Sequence, residues 1–461
     1  MTKYCNNVRP LDPFQGTNCI DPADVHTILN RHMLVDGYDI VLDLNKSEPG
    51  IIYDCHHNKR YLDFFTFFAS APLGVNHPKL VSDARFRQKI MRAAINKPSN
   101  SDIYTVEMAE SVELMSRLAM RAELPYLFFI CGGALAVENA LKTAFDWKAR
   151  KNRQFGKEAN VLKVVHLEQA FHGRSGYTLS LTNTDPVKTE FFPKFDWPRV
   201  INPAMRFPQD KQAILDVELL EKRSIDAIKN IILKAPEEIA AIILEPIQGE
   251  GGDNHFRRSY FEALRQVCDE SDVMLIFDEV QTGVGATGKM WAWEHFVAPD
   301  ILAFGKRMQV SGIMAGTRLD EVDGHVFETS SRINSTWGGA LVDMVRCGKI
   351  LQIIEEDCLL DNASEAGLFL LRQLESLAED YPDIISNPRG RGLMCAFDLP
   401  NPDISRQFLA MVMERNLLVL GCGSRSVRFR PPLCVTYEAI DEAMHIIRSV
   451  LASFGKSWKF Q

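Results

Sequence analysis

From Ile239 to Lys306 the chain passes through three short apolar stretches, each stopped by a polar or glycine-rich turn: IAAIILEP followed by QGEGG, then VMLIFDEVQTG, then ILAFGK. Stretches this short and this rich in Ile, Leu and Val, without polar alternation, are the pattern of parallel strands buried on both faces. Glu245, Asp278 and Lys306 therefore fall at strand ends. In an open α/β sheet that edge is where ligands collect. The spacing from Asp278 to Lys306 suits a single crossover between parallel strands.

The same reading extends in both directions. PYLFFI predicts a strand that stops at Cys131-Gly132-Gly133-Ala134 and leads into AVENALKTAFDWKAR, which carries Val137, Leu141, Ala144 and Phe145 on one helical face. A helix start behind such a turn exposes unpaired N–H groups and suits an anion, although two glycines alone mark a plain tight turn equally well. The dinucleotide pattern GxGxxG is absent. VLKVVHL predicts a strand delivering AFHGRSG, and LLEKRSIDAIKNIILKA predicts a helix. Upstream, IYTVEMAESVELMSRLAM puts Met108, Val112, Met115 and Ala119 on one face, with Asp102 as the expected N-cap.

Residues 1–100 hold short strand runs (IVLDL, GIIYD, RYLDFF) and are expected to form a segment that packs with the small C-terminal unit, while 101–340 form the larger body. In 341–461, helical runs alternate with GLMCAFDL, LLVL and SVRFRP, predicting a smaller α/β unit. Arg428 and Arg430 stand on the last strand and are expected on opposite faces, with only one entering a site. Pro431-Pro432 ends that strand.

Composition narrows the classes. A chain of 461 residues suits a large domain and a lesser one. Its net charge of −8, with 60 acidic against 52 basic residues, gives no basic footprint for nucleic acid. The longest near-continuous apolar stretch, Leu124 to Val137, is broken by Gly132 and Gly133 and falls short of the roughly 18 residues a membrane-spanning helix needs. MTKYCNNVRPLDPF has neither an apolar signal region nor a transit-peptide pattern. Ten cysteines scattered from Cys5 to Cys434, with no CxxC, fit reduced thiols and a cytoplasmic location. Cys55-His56-His57 could ligate a metal, but it sits between YD and NKRYLDF as in a hairpin turn. No second ligand cluster stands at a useful spacing, so no metal is expected.

A lysine and an aspartate at one sheet edge have a chemistry that needs both. The amine forms a Schiff base with an aldehyde cofactor, and the carboxylate keeps that cofactor's pyridine nitrogen protonated, making the ring an electron sink. The bland alternative is a solvated lysine and a capping aspartate. Context separates the two readings. LEPIQGEGG, IFDEVQTGVGATG and AFGK resemble the class III (ω-amino acid) aminotransferases, a pyridoxal-phosphate family. FFASAPLGVNHPKL, CGGALAVENALKTAFDWK, AFHGRSGYTLSLTN, FPKFDWPR, NSTWGG and SVRFRPPL extend the resemblance over most of the chain.

The resemblance implies an α/β fold-type I transferase: a large domain with a mostly parallel seven-stranded sheet and a smaller C-terminal α/β domain. It implies pyridoxal 5'-phosphate bound by Gly133 and Ala134 at the phosphate, Asp278 at the ring nitrogen, Gln281 at the ring oxygen and Lys306 as the Schiff-base lysine. Phe171 and Val280 would cover the two ring faces. His172 would lie beside the cofactor or be a hydrogen-bonded structural histidine, and Glu245 would be a supporting carboxylate. Cys131 departs from the acidic or small polar residue the family pattern expects there. Arg174 would grip the distal carboxylate of the substrate, Gln281 and Asn334 would join the substrate contacts, and Arg428 would be the cation covered by Glu250. Thr336 would reach the phosphate of a neighbouring subunit, implying a homodimer with shared sites. The implied reaction is ping-pong transfer of the ε-amino group of L-lysine to 2-oxoglutarate, giving 2-aminoadipate 6-semialdehyde and L-glutamate. Ornithine and 4-aminobutyrate are the alternative donors, and a catalytically silent scaffold is the alternative from another class.

Overall fold

The computed structural model describes residues 20–158 and 161–457. The N-terminal stretch MTKYCNNVRPLDPF, with Cys5, lies outside the described residues. The described residues form fourteen strands, in chain order β1 Ile51–Asp54, β2 Lys59–Asp63, β3 Tyr126–Ile130, β4 Lys163–Leu167, β5 Arg199–Val200, β6 Ile239–Leu244, β7 Met274–Asp278, β8 Ile301–Phe304, β9 Ser311–Ala315, β10 Ser386–Arg391, β11 Met394–Asp398, β12 Leu417–Leu418, β13 Leu420–Cys422 and β14 Ser426–Phe429. Seven of them form one sheet in the order β3-β9-β8-β7-β6-β4-β5. Its neighbours are parallel from β8 through β5, while β9 runs antiparallel to both β8 and β3. The mostly parallel seven-stranded sheet is thus present, with one reversed strand.

Every residue of β6, β7 and β8 is buried, and their side chains feed two cores alternately. Leu275 and Phe277 join Leu244 and Leu302 on one face, while Met274 and Ile276 join Ile243 and Ala303 on the other. The second core is closed by the helix Gly133–Gln154 through Ala136, Val137, Ala140 and Leu141. By this alternation Asp278, at the end of β7, leans toward the face that this helix covers.

Residues 386–429 supply a four-stranded antiparallel sheet, β10-β11-β14-β13. The hairpin β1–β2 turns at Cys55–Asn58, as the sequence pattern predicts, and its β2 pairs in parallel with β12. At the end of β2, Asp63 Oδ1 accepts the N–H groups of Phe65 and Thr66 at 2.9 and 2.7 Å. Thr66 to Ala69 then take φ values of 42, 52, 59 and 65°, the left-handed region that side chains disfavour. Asp63, 1% exposed, anchors the start of that turn.

One expected cap is corrected. The helix Val106–Leu118 starts behind Thr105, whose hydroxyl accepts the Met108 N–H at 3.1 Å. Asp102 instead takes hydrogen bonds from the Ser99 and Ser101 hydroxyls in the preceding turn, so its side chain is already used. Met115 and Ala119 are buried and Met108 and Val112 pack against the core, as the helical spacing predicts. Among the described residues no helix is long and apolar enough to cross a membrane.

Candidate active site

The C-terminal ends of β4, β6, β7 and β8 and the start of the Gly133–Gln154 helix enclose a cleft of about 390 Å³. Its walls include Gly133, Ala134, Phe171, His172, Arg174, Glu245, Glu250, Asp278, Val280, Gln281 and Lys306. The strand-end residues that the sequence pattern singles out therefore meet in one place.

The helix is entered through Gly132, at φ 104°, a backbone setting that glycine adopts without strain. Its first bond runs from Ala136 N–H to the Gly132 carbonyl, so the N–H groups before it have no intrahelical acceptor. A Cβ on Gly133 would lie 2.9 Å from Val280 Cγ1, and one on Gly305 would lie 3.4 Å from the same atom. The Val280 side chain therefore packs directly against Gly133, where no side chain fits.

Asp278 is 5% exposed and accepts the Val280 N–H at 3.1 Å through Oδ1, while Oδ2 lies 2.9 Å from His172 Nδ1. The other ring nitrogen of His172 is buried without a hydrogen-bond partner among the described residues. Lys306 follows β8 at φ 32°, a strained setting for a lysine. Burial, reinforced by the Arg428 guanidinium, holds its amine below the ordinary pKa against the opposing pull of Asp278, Glu245 and Glu250. Glu245, fully enclosed at the end of β6, accepts the N–H of Phe171 and of Gly249, each at 3.0 Å. Burial pushes its carboxyl up to about 7. One carboxyl thus fixes both the aromatic wall and the QGEGG loop.

The loop carries Glu250 over Arg428, with Oε2 3.0 Å from Nη2. The Arg428 side chain is 2% exposed, so it lies behind Glu250 rather than on the cleft surface. The second oxygen of Glu250 is taken by Lys188, whose amine also stands 5.6 Å from the centre of the Phe171 ring. Burial alone would raise the Glu250 carboxyl, but Arg428 and Lys188 outweigh it and hold its pKa below the usual value.

The expectation for the two strand arginines is corrected. Side chains two apart on a strand share a face, so Arg428 and Arg430 point the same way rather than to opposite faces. Both guanidiniums converge on Gln281: Arg428 Nη1, Arg430 Nε and Arg430 Nη2 lie 3.3, 3.3 and 3.2 Å from its Oε1. Arg430 also forms a two-pronged pair with Asp253, itself fully buried. Arg174 is exposed at the cleft. Asn334 and Thr336 are exposed and do not line it; the Asn334 side chain accepts the Ser335 N–H, and the Thr336 carbonyl accepts the Ser101 hydroxyl. Lys188, Arg430 and Asp253 were not legible as site residues in the sequence. Nothing in DPVKTE marks Lys188, and Asp253 stands three residues beyond Glu250.

Comparison with known proteins agrees with this geometry. Residues 34–451 match the family model for aminotransferase class III. The L-lysine-epsilon aminotransferase of Mycobacterium tuberculosis (strain ATCC 25618 / H37Rv) is 52% identical over 432 residues, 93% of this chain and 96% of that one. That of Streptomyces clavuligerus is 46% identical over 450 residues, 97% and 98% of the two chains. The solved structure of lysine aminotransferase from M. tuberculosis in the internal aldimine form superposes with a TM-score of 0.92 at 51% identity, covering 94% of this chain and all of that one. With a family match over nearly its whole length and a lysine and an aspartate on adjacent strands of one cleft, the chain belongs to the class III aminotransferases.

Proposed function

We propose that this aminotransferase uses pyridoxal 5'-phosphate to move the ε-amino group of L-lysine to 2-oxoglutarate. The products are 2-aminoadipate 6-semialdehyde and L-glutamate. The observation that carries the reading is the closed pair of Glu250 and Arg428, 3.0 Å apart. A buried guanidinium covered by a carboxylate suits an amino donor whose reacting carbon bears no carboxylate. The names of the most similar relatives, at 46–52% identity, support lysine as that donor.

The residues present fit the cofactor. The N–H groups at the Gly133 helix start suit its phosphate, and the absent side chains of Gly133 and Gly305 let Val280 pack close against the backbone there. Asp278, oriented by His172, would hold the ring nitrogen, with Phe171 and Val280 against the ring faces. Gln281, whose oxygen is already occupied by two arginines, has its amide N–H groups left for the ring oxygen. When bound, the cofactor supplies an aldehyde for the amine and a ring that stores the electron pair released at the substrate carbon.

Lys306, whose neutral form is favoured by burial, acts as nucleophile and then as the base and acid that carries a proton at the substrate carbon. Arg174 grips the distal carboxylate of lysine in a bidentate geometry. For the second half-reaction Glu250 leaves Arg428, which then takes the carboxylate of 2-oxoglutarate. Asn334 and Thr336 act across a homodimer, Thr336 on the cofactor phosphate of the neighbouring subunit.

The test is glutamate production from 2-oxoglutarate with L-lysine, ornithine and 4-aminobutyrate side by side. Lysine should lead in kcat/KM by about tenfold or more, the scale of one methylene in a fitted pocket. A higher value for either alternative would reject lysine as the donor.

A further inference from the structure

Away from the cleft, the turn between β1 and β2 carries a cluster that the proposed reaction does not use. His57 Nδ1 lies 2.7 Å from Asp54 Oδ2, and Asp54 is completely buried, with its Oδ1 accepting the N–H groups of Val41 and His56 at 3.0 and 2.9 Å. That carboxylate fixes the His57 ring and aims its other nitrogen, Nε2, at Asp39 Oδ2 across 3.6 Å. The gap is too long for a hydrogen bond. It is close to the edge of a tetrahedron, about 3.3 Å, between two donors that share an ion at about 2.0–2.1 Å from each.

The His56 ring stands 4.0 Å from that of His57, centre to centre, and its Nδ1 is buried without a hydrogen-bond partner among the described residues. Donor atoms of Asp39, His56 and His57 all lie within 4.8 Å of one another. On the far side of the same carboxylate, His26 Nδ1 is 3.4 Å from Asp39 Oδ1. Three imidazoles therefore surround one carboxylate, and a second carboxylate orients one of them from behind. A histidine ligand held through its other nitrogen by a carboxylate is the arrangement that fixes tautomer and raises basicity at metal centres. Chain order shows only Cys55-His56-His57, from which no metal is expected, because the other partners come from the separate segment that carries His26 and Asp39.

We propose that Asp39, His56 and His57 bind one divalent first-row transition ion of the zinc class, with His26 beside the other oxygen of Asp39. Imidazole with carboxylate selects this class over magnesium and calcium, which take oxygen donors. The ion would join the segment before β1 to the β1–β2 turn, so its first consequence is mechanical. The transaminase chemistry does not pass through it.

The test uses untagged, cofactor-loaded protein treated with a chelator and dialysed. Zn²⁺ is titrated by calorimetry, and Co²⁺ is added as a visible-absorption probe of coordination. One ion per chain should bind, with a cobalt spectrum of tetrahedral type lacking thiolate charge transfer. The double variant His56→Asn/His57→Asn and the single variant Asp39→Asn should each weaken binding at least tenfold, with melting curves in chelator unchanged and transamination unchanged. Zn²⁺ should also slow proteolysis within residues 20–45 of the wild type and not of the double variant. Undiminished binding in the double variant would put the ion elsewhere, the exposed Cys131 for example, and overturn the proposal. So would the absence of saturable binding at millimolar Zn²⁺ in the wild type.

Discussion

Replacing Glu250 by alanine should separate the two half-reactions. In the wild type, Arg428 is 2% exposed and donates to Glu250 at 3.0 Å and to Gln281 at 3.3 Å, while its Nε has no partner among the described residues. Glu250→Ala leaves that cation facing the methylene chain of lysine. Removing one partner of a fully buried pair costs about 3–5 kcal/mol. Glu250 keeps 28% of its side-chain exposure, so water recovers part of this, and about 2 kcal/mol is a reasonable charge against the lysine half. At about 1.4 kcal/mol per decade, that is roughly a 30-fold loss. With 2-oxoglutarate the substrate's own carboxylate replaces the missing partner, and no pair has to be broken first, so that half should hold its rate or gain. Single-turnover absorbance changes, recorded separately with lysine and with 2-oxoglutarate, read both numbers. Equal losses in the two halves, or a larger one with 2-oxoglutarate, would refute the reasoning.

Lys188→Met removes the cation that would hold Glu250 once it leaves Arg428. Both side chains are about a quarter exposed (27 and 28%), so the pair is worth about 1 kcal/mol, and the 2-oxoglutarate half should slow roughly fivefold while the lysine half changes little. Arg430→Met strands the fully buried Asp253 carboxylate and should destabilise the fold by about 3–5 kcal/mol in denaturant titration. Arg430→Met/Asp253→Leu should recover much of that, and a double variant no better than the single would reject the pairing argument. Asp63 has its carboxyl raised by burial from 3.8 to about 6 despite two backbone hydrogen bonds. A raised carboxyl binds more protons folded than unfolded, so its stabilising share is complete below about pH 4 and is lost as pH rises through about 6. Asp63→Asn should therefore gain up to about 3 kcal/mol on the wild type between pH 4 and 7, and parallel stability curves over that range would count against it.

What could be read from the sequence divides along a physical line. Positions fixed by strand periodicity were legible: once VMLIFD and ILAFGK read as buried strands, Asp278 and Lys306 had to appear at one edge. Roles that depend on which side chains meet across the fold were not. Arg430 was expected on the face opposite Arg428, yet residues two apart share a face, and which acid or amide each guanidinium meets, Glu250 or Asp253 besides Gln281, is set by loops from elsewhere in the chain. The same limit hid Lys188, which meets Glu250 only because the loops after β4 and β6 lie side by side. At Asp102 local pattern misled for a different reason, since two serines and Thr105 compete for the same few turns and Thr105 holds the cap. Side-chain polarity alone does not rank such rivals.

The placement of charge suggests how one site serves two unlike substrates. Asp278, Lys306 and the Gly133 helix start all belong to the seven-stranded sheet and its crossover helix, so the proposed reacting centre is set by buried strands that have little freedom to move. Arg428 instead rides on β14 of the four-stranded sheet, and Glu250 sits in a loop between glycines. Gln281 is where the two systems touch: its oxygen is held by Arg428 and Arg430, and Asp253 anchors Arg430 from the loop that carries Glu250. Opening the Glu250 pair therefore need not disturb the ring-binding residues, because the Asp253 pair keeps the loop's far end and the arginine strand together. In the proposed reaction, selection between an apolar methylene chain and a carboxylate would then reduce to the position of one glutamate, which the structure holds between Arg428 on one oxygen and Lys188 on the other.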